Sequence, residues 1–352
     1  MRLAALILVL LASACSESAS PPNDVGPPYR ISGGTMGTGW MVLVPRRHVE
    51  ATDLAHLTDL IQSELDQVND EMSHYQGDSE LTRFNEANTT NWFPVAAGFA
   101  DVVQLAKEVH DQSRGAFDVT IAPLIDLWGF GAPQDDERKK AVPTPDEIVA
   151  AQARCGTARL EVRHSSPAIK KTLADVQMNL SAIAKGHGVD RVGALLDGRG
   201  ITDWFVEIGG EIRVKGRKLA DTPWRVGVES PSALVRPGRR ATERTLPLED
   251  RAIATSGDYR NYWTADGIRY SHTLDPRTGA PVRHGCASVS VISDTCARAD
   301  AWATALLVLG PDEGLKLAEA RGIAAMFIVR SPGGGVAGKV TYASRATTTF
   351  PH

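Results

Sequence analysis

The sequence predicts an α+β fold: mixed, largely antiparallel sheets with packed helices. The chain has 352 residues, 43% hydrophobic and 23% charged, with a net charge of -4, which is ordinary for a globular protein able to bury a sizeable core. Segments of helical period and segments of alternating period both occur. They do not follow one another in strict βαβ order, which argues against a doubly wound parallel sheet. The near-neutral balance excludes nucleic acid as the main partner. The densest basic stretch, Arg236-Pro237-Gly238-Arg239-Arg240, reads as a solvated loop.

In chain order, Met1-Arg2, the apolar run Leu3 to Leu11 and the small residues Ala12-Ser13-Ala14 lead into Cys15. The run is too short to span a bilayer, which takes about 20 residues. A small-residue stretch ending in Cys resembles a bacterial lipoprotein signal, although Ala12 stands where Leu is usual. Lipidation of Cys15 is favoured over plain cleavage, with residues 1–15 as signal and 16–29 as a Ser/Pro-rich tether. The expected site is the periplasmic side of a bacterial cell envelope. Cys155, Cys286 and Cys296 form no CxxC pair and no metal-spaced cluster. Cys286 and Cys296, in apolar surroundings, are expected to be buried and inert.

Ile31 to Val44 reads as a strand pair or as a strand with a Gly-rich turn. Asp53 to Tyr75 and Ala97 to Ser113 carry apolar residues at helical spacing. Gly131 to Pro145 is a polar surface excursion, followed by a short helix over Asp146 to Arg154. Leu160 to Val162 and Ala174 to Leu180 are expected strands, Ala182 to Leu196 a helix, and Ile201 to Ile208 and Trp224 to Glu229 strands. Ser230 to Arg244 is expected as a loop. Ala252 to Tyr270, Ala287 to Ile292 and Ala324 to Val329 supply further strands. Between the last two, a helix is expected to begin near Ser293/Asp294 and to stop at Gly310-Pro311. The tail 331–352, rich in Gly and Thr, is expected to be weakly ordered.

That last helix holds the most informative pair. Asp300 and Thr304 share one face, about 6 Å apart along the axis at 1.5 Å per residue. A carboxylate and a hydroxyl so placed could hold a hard cation such as Mg2+ against a phosphate. Taken alone, the pair is better explained by Asp300 complementing the helix start and Thr304 packing in the core.

Several familiar signatures fail. Gly333 to Lys339 spells GxxxxGK, but Val340 replaces the required Ser/Thr. Gly34 to Gly39 lacks the spacing and acidic partner of a dinucleotide fold, and GxSxG and HExxH are absent. What remains is a series of Gly-punctuated polar clusters. Gly33 to Thr38 could bring backbone N–H groups to a ligand. Gly115 to Thr120 sets a carboxylate beside an aromatic ring. Asn179 to Gly186 opens a helix, a natural place for phosphate. Glu207 to Glu211 is weaker and reads equally as a turn. Ala254 to Arg260 precedes Ser271 to Gly279, where His272 stands three residues before Asp275 and is suited to proton transfer.

Together and in order, these clusters resemble the ApbE family, the bacterial FAD:protein FMN transferases, from about Arg30 to about Arg330. The matching phrases are GTMGT (34–38), MSHYQGDSELTRFN (72–85), GAFDVTIAPLIDLWGFG (115–131), NLSAIAKGHGVD (179–190), VEIGGEIRVKG (206–216), ATSGDYRNYW (254–263), SHTLDPRTG (271–279) and TCARADAWATALLVLG (295–310). The resemblance implies one domain over 30–330 with an ApbE-like fold. It implies an enzyme that splits FAD, releases AMP and joins FMN to a Thr or Ser hydroxyl of an acceptor flavoprotein. Mg2+ would be held by the Ala182 carbonyl with Asp300 and Thr304. Met36, Tyr75, Ala116, Phe117, Asp118, Asn179, Lys185 and Leu274 would contact the flavin nucleotide. His272 would be the base, with Asp275 as its orienter or a second polar contact. Asn179 stands where relatives often carry Asp, and Gly39 and Trp40 vary the end of the first phrase. The acceptor, by analogy, is a subunit of a membrane redox pump or another flavin-carrying envelope protein. Two other readings stand beside it: an FAD pyrophosphatase giving FMN and AMP, which needs the same residues, and a non-catalytic FAD-binding lipoprotein, against which intact His272, Asp300 and Thr304 argue.

Overall fold

The computed structural model describes residues 26–131, 141–219, 222–231, 242–259, 261–331 and 340–351. The signal, Cys15 and most of the tether lie outside these residues. The chain opens with the hairpin β1 (Tyr29–Thr35) and β2 (Thr38–Val44), then α1 (Leu54–Met72) and α2 (Glu80–Glu86). Next come β3 (Phe93–Pro94), α3 (Ala97–Gln112), α4 (Ala122–Leu127), α5 (Pro145–Gln152), β4 (Leu160–Arg163), β5 (Ala168–Lys171) and α6 (Ala184–Gly198). Five strands follow: β6 (Trp204–Ile208), β7 (Glu211–Lys215), β8 (Trp224–Glu229), β9 (Thr242–Leu248) and β10 (Ala252–Gly257). Two small hairpins, β11 (Tyr262–Ala265) with β12 (Ile268–Ser271) and β13 (Leu274–Asp275) with β14 (Ala280–Pro281), lead to β15 (Cys286–Ser293). The chain finishes with α7 (Cys296–Arg321), β16 (Ala324–Arg330) and β17 (Tyr342–Ala346).

The centre is an eight-stranded sheet ordered β1-β2-β6-β7-β10-β15-β16-β17, antiparallel at every pairing. Alternation along the strands decides its two faces. Trp204, Val206 and Ile208 of β6 point to the layer of α1 and α6, while Phe205 points to the opposite face. There Trp224, Val226 and Val228 of β8 and Leu246 and Leu248 of β9 cover the sheet as a separate hairpin. α7, the most buried helix, fills the core between the sheet and α3. Among the described residues no helix is long and apolar enough to cross a membrane. Cys155, Cys286 and Cys296 are buried free thiols, and burial pushes the first two up to about 12.

Several expected boundaries differ for identifiable reasons. Ala174 and Asp175 fall in a turn and Val176 to Leu180 joins no sheet, the backbone there being bonded elsewhere. The Asn85 side chain brackets Met178 at 2.8 Å on both its N–H and its carbonyl, and Asn179 N–H donates to the Val119 carbonyl at 2.7 Å. The strand of this region is β5 instead. The 230–244 segment, expected as a loop, ends in β9, whose Thr242 lies within it. α7 does not stop at Gly310-Pro311 but bends there. Gly310 takes φ 77, and Pro311, which needs no N–H bond, starts a second helical run to Arg321. The tail 331–352, expected to be weakly ordered, contributes β17 on the edge of the sheet and buries Phe350. The GxxxxGK stretch at 333–339 lies outside the described residues.

Candidate functional site

The site forms where the first turns of α6 and α7 touch. A Cβ on Gly186 would lie 2.5 Å from the Cys296 carbonyl oxygen and 2.7 Å from Ala297 Cα, so only glycine allows this approach. The start of α7 is capped by a neighbouring helix rather than by Ser293 or Asp294. Asp190 of α6 accepts the Cys296 and Ala297 N–H groups, each at 2.9 Å, and pairs with Arg213 at 2.8 Å. In return, Asp300 of α7 accepts the Gly186 N–H at 3.1 Å.

This junction sets Asp300 and Thr304 into a cavity of about 810 Å³, together with Ala182, Lys185, Glu211, Ser256 and His272. Thr304 Oγ1 shares a hydrogen bond of 2.8 Å with Ser256 Oγ on β10. Lys185 Nζ meets Glu211 Oε1 at 2.6 Å. Burial pushes the Asp300 carboxyl up, opposed by the Lys185 ammonium and the Gly186 N–H; Glu211 is likewise raised by burial and opposed by Lys185. Burial works against the Lys185 ammonium too, but Asp300 and Glu211 outweigh it and hold the lysine protonated. Two buried carboxyls thus share one ammonium, and Glu211 Oε2 has no partner among the described residues.

Such a wall suits a cation. The residues expected to supply donors, Asp300, Thr304 and Ala182, all line the cavity, and a carboxylate, a hydroxyl and a carbonyl are the kind of hard oxygen ligand Mg2+ prefers. Among the described residues no group of three or more His, Cys, Asp and Glu could hold a metal ion.

His272 follows β12 and lines the same cavity. Its Nδ1 lies 3.0 Å from the Asn261 carbonyl, which also accepts the His272 backbone N–H at 3.1 Å. A carbonyl can only accept, so Nδ1 carries the proton and Nε2 keeps its lone pair. Burial lowers the His272 pKa, partly offset by the bond to Asn261. Asp275 is not its orienter. It does not line the cavity, and no hydrogen bond joins it to His272 among the described residues. Its carboxylate binds the Arg277 N–H at 2.9 Å and guanidinium at 2.9 Å, locking the turn, and Arg277 continues to Glu313 of α7.

Of the expected nucleotide contacts, Ala116, Phe117, Asp118, Asn179, Lys185 and Leu274 line the cavity. Asp118 does so with a saturated carboxylate. Its Oδ1 accepts from Thr120 N–H, Thr120 Oγ1 and Thr157 Oγ1, and its Oδ2 from Thr157 N–H. Those bonds shape the loop that carries Ala116 and Phe117. Asn179 Oδ1 accepts the Ser181 N–H at 3.0 Å and so builds the turn into α6. Met36 and Tyr75 are not in the wall. Met36, at φ 49 in the β1–β2 turn, lays its methyl near Gly188 of α6. Tyr75 is 68% exposed beside His74. Glu211, Ser256 and the Asn261 carbonyl were not singled out from sequence. All three lie inside the phrases VEIGGEIRVKG and ATSGDYRNYW, which was the available signal.

The ApbE family profile matches residues 36–327. The FAD:protein FMN transferase of Vibrio cholerae is 38% identical over 336 residues, 94% of each chain, and that of Escherichia coli K12 is 33% identical over 94% of this chain and 92% of its own. The solved flavin transferase ApbE from Vibrio cholerae superposes with a TM-score of 0.79 at 37% identity, covering 92% of this chain and 97% of that one. The Pseudomonas stutzeri flavinyl transferase ApbE, apo form, gives 0.79 at 35% identity, covering 93% and 97%. The phrases that assemble the cavity and the similarity that runs through nearly the whole chain agree: this chain belongs to the ApbE family.

Proposed function

We propose that this chain moves FMN from FAD to a Thr or Ser hydroxyl of an acceptor flavoprotein and releases AMP. The observation that carries the reading is one cavity holding both a histidine with a free Nε2 and an ammonium beside an oxygen donor set. Lys185 offers positive charge to the diphosphate. His272 Nε2 takes the proton of the acceptor hydroxyl as its oxygen bonds to the FMN phosphorus. The bond from that phosphorus to the AMP phosphate oxygen breaks, and AMP leaves with the electron pair. The Asn261 carbonyl holds Nδ1–H throughout and so keeps the ring aimed. Ala182, Asp300 and Thr304 would hold Mg2+, which when bound draws charge from the diphosphate. Phe117, Ile121, Ile125 and Leu307 are apolar parts of the wall and disfavour water as a competing acceptor. The first fifteen residues support attachment through Cys15 on the periplasmic side, where the acceptor would be met.

The test incubates the protein with FAD and Mg2+, with and without an acceptor domain, following AMP release and the acceptor's intact mass. Flavinylated acceptor, with AMP release dependent on it, is expected. Equally fast AMP release without acceptor would make the chain an FAD pyrophosphatase, and tight FAD binding with no turnover would make it a binder. Asp300→Ala should lower transfer by about 100-fold or more, since a bound metal supplies several kcal/mol of charge stabilisation. An Asp300→Ala protein that is fully active would refute the cation assignment.

A further inference from the structure

We infer that Glu211 is a positioning residue for this transfer: it holds the Lys185 ammonium where the diphosphate of the dinucleotide lies. The inference rests on the reading of the cavity as an FAD site. The β6–β7 turn consists of Gly209 and Gly210 at φ 62 and 113, a region that favours glycine. It is pinned from both sides, since Gly209 N–H donates to the Gly39 carbonyl at 3.1 Å and Gly210 N–H to Glu207 Oε1 at 2.7 Å. A Cβ on Gly209 would lie 3.4 Å from Lys185 Cδ, so the lysine stem runs along the bare turn. Just past the turn, Glu211 Oε1 receives Nζ at 2.6 Å. The hairpin therefore grips one long side chain at its stem and at its head.

A free lysine would lose much rotamer freedom on meeting a phosphate. Here that ordering is complete before the ligand arrives. A pair built for stability alone is a poor explanation, because an ion pair with its carboxylate buried gains little over apolar packing, and among the described residues this one leaves Glu211 Oε2 without a partner. Direct contact of Glu211 with the diphosphate is no better, since two negative groups repel. Glu211 can help bind an anion only through the lysine it holds.

The test measures dissociation constants of FAD, ADP and riboflavin by fluorescence and calorimetry, without Mg2+, on the full chain. Glu211→Asp keeps the charge but draws the carboxylate back by one methylene. It should weaken FAD and ADP about tenfold, roughly one charge-assisted contact, and leave riboflavin unchanged. The loss should vanish in a Lys185→Met background. Glu211→Gln, which keeps an acceptor in place, should bind FAD as well as the unmodified protein does, or more tightly. Equal weakening of riboflavin, a loss that persists without the lysine, or FAD affinity untouched by Glu211→Asp would each overturn the inference. An unmodified protein that binds no FAD would overturn the site reading and this inference with it.

Discussion

His272 takes its chemistry from a backbone atom rather than from an acid. The Asn261 carbonyl fixes the tautomer without adding a negative charge that would hold the ring protonated. Burial, the larger influence, disfavours the imidazolium, so the folded-state pKa lies below the ordinary value near 6.5. The neutral ring is the active base, and it stays neutral until the pH falls below that value. The kcat/KM for transfer should therefore be flat through neutrality and decline only on the acid side of about 6.5. A profile inflecting at or above that value would show that His272 is not the group being titrated. The histidine itself was legible in the sequence from its place in SHTLDPRTG. Its partner was not, because a carbonyl oxygen has no residue letter and Asp275 was the only visible candidate.

At the scale of elements, the site depends on two helices meeting end to end. Each first turn is completed by a carboxylate from the other helix: Asp190 serves α7 and Asp300 serves α6. Gly186 sets the distance. Gly186→Ala would place a methyl 2.5 Å from the Cys296 carbonyl, and such overpacking costs about 1–3 kcal/mol. Denaturant midpoints should drop accordingly, and Mg2+-dependent FAD turnover should fall further than stability alone requires. Unchanged midpoint and turnover would mean the helices can separate freely. The helical periods of α1, α3 and α6 were readable because each buries one face. The bend of α7 was not, since Gly-Pro reads equally as a stop or as the start of a second run.

For the molecule as a whole, the antiparallel sheet divides the work between its faces. The helix side supplies Asp300, Thr304 and Lys185, while the other side is closed by the β8–β9 hairpin and the end of the chain and adds Phe205, Gly227, Glu229 and Thr242 to the cavity wall. Phe350, almost fully buried in that second layer, joins the C-terminus to Trp224, Val226 and Met326. Phe350→Ala should cost about 3–5 kcal/mol in chemical denaturation, as large-to-small changes in a packed core do. A loss under about 1 kcal/mol would show that the C-terminal segment contributes little to the fold.

By itself the sequence determined the α+β class, the helices with a buried stripe, and the set of polar phrases from which the cavity is made. These depend on local period, on turn residues and on spacing within one element, all of which are written along the chain. Tertiary structure alone decided which of those phrases face one another. It placed Glu211 on Lys185, Ser256 on Thr304 and a carbonyl on His272, and it left Met36, Tyr75 and Asp275 outside the wall. Those outcomes depend on how a twisted sheet carries distant hairpins past two helix starts. No window of neighbouring residues contains that geometry.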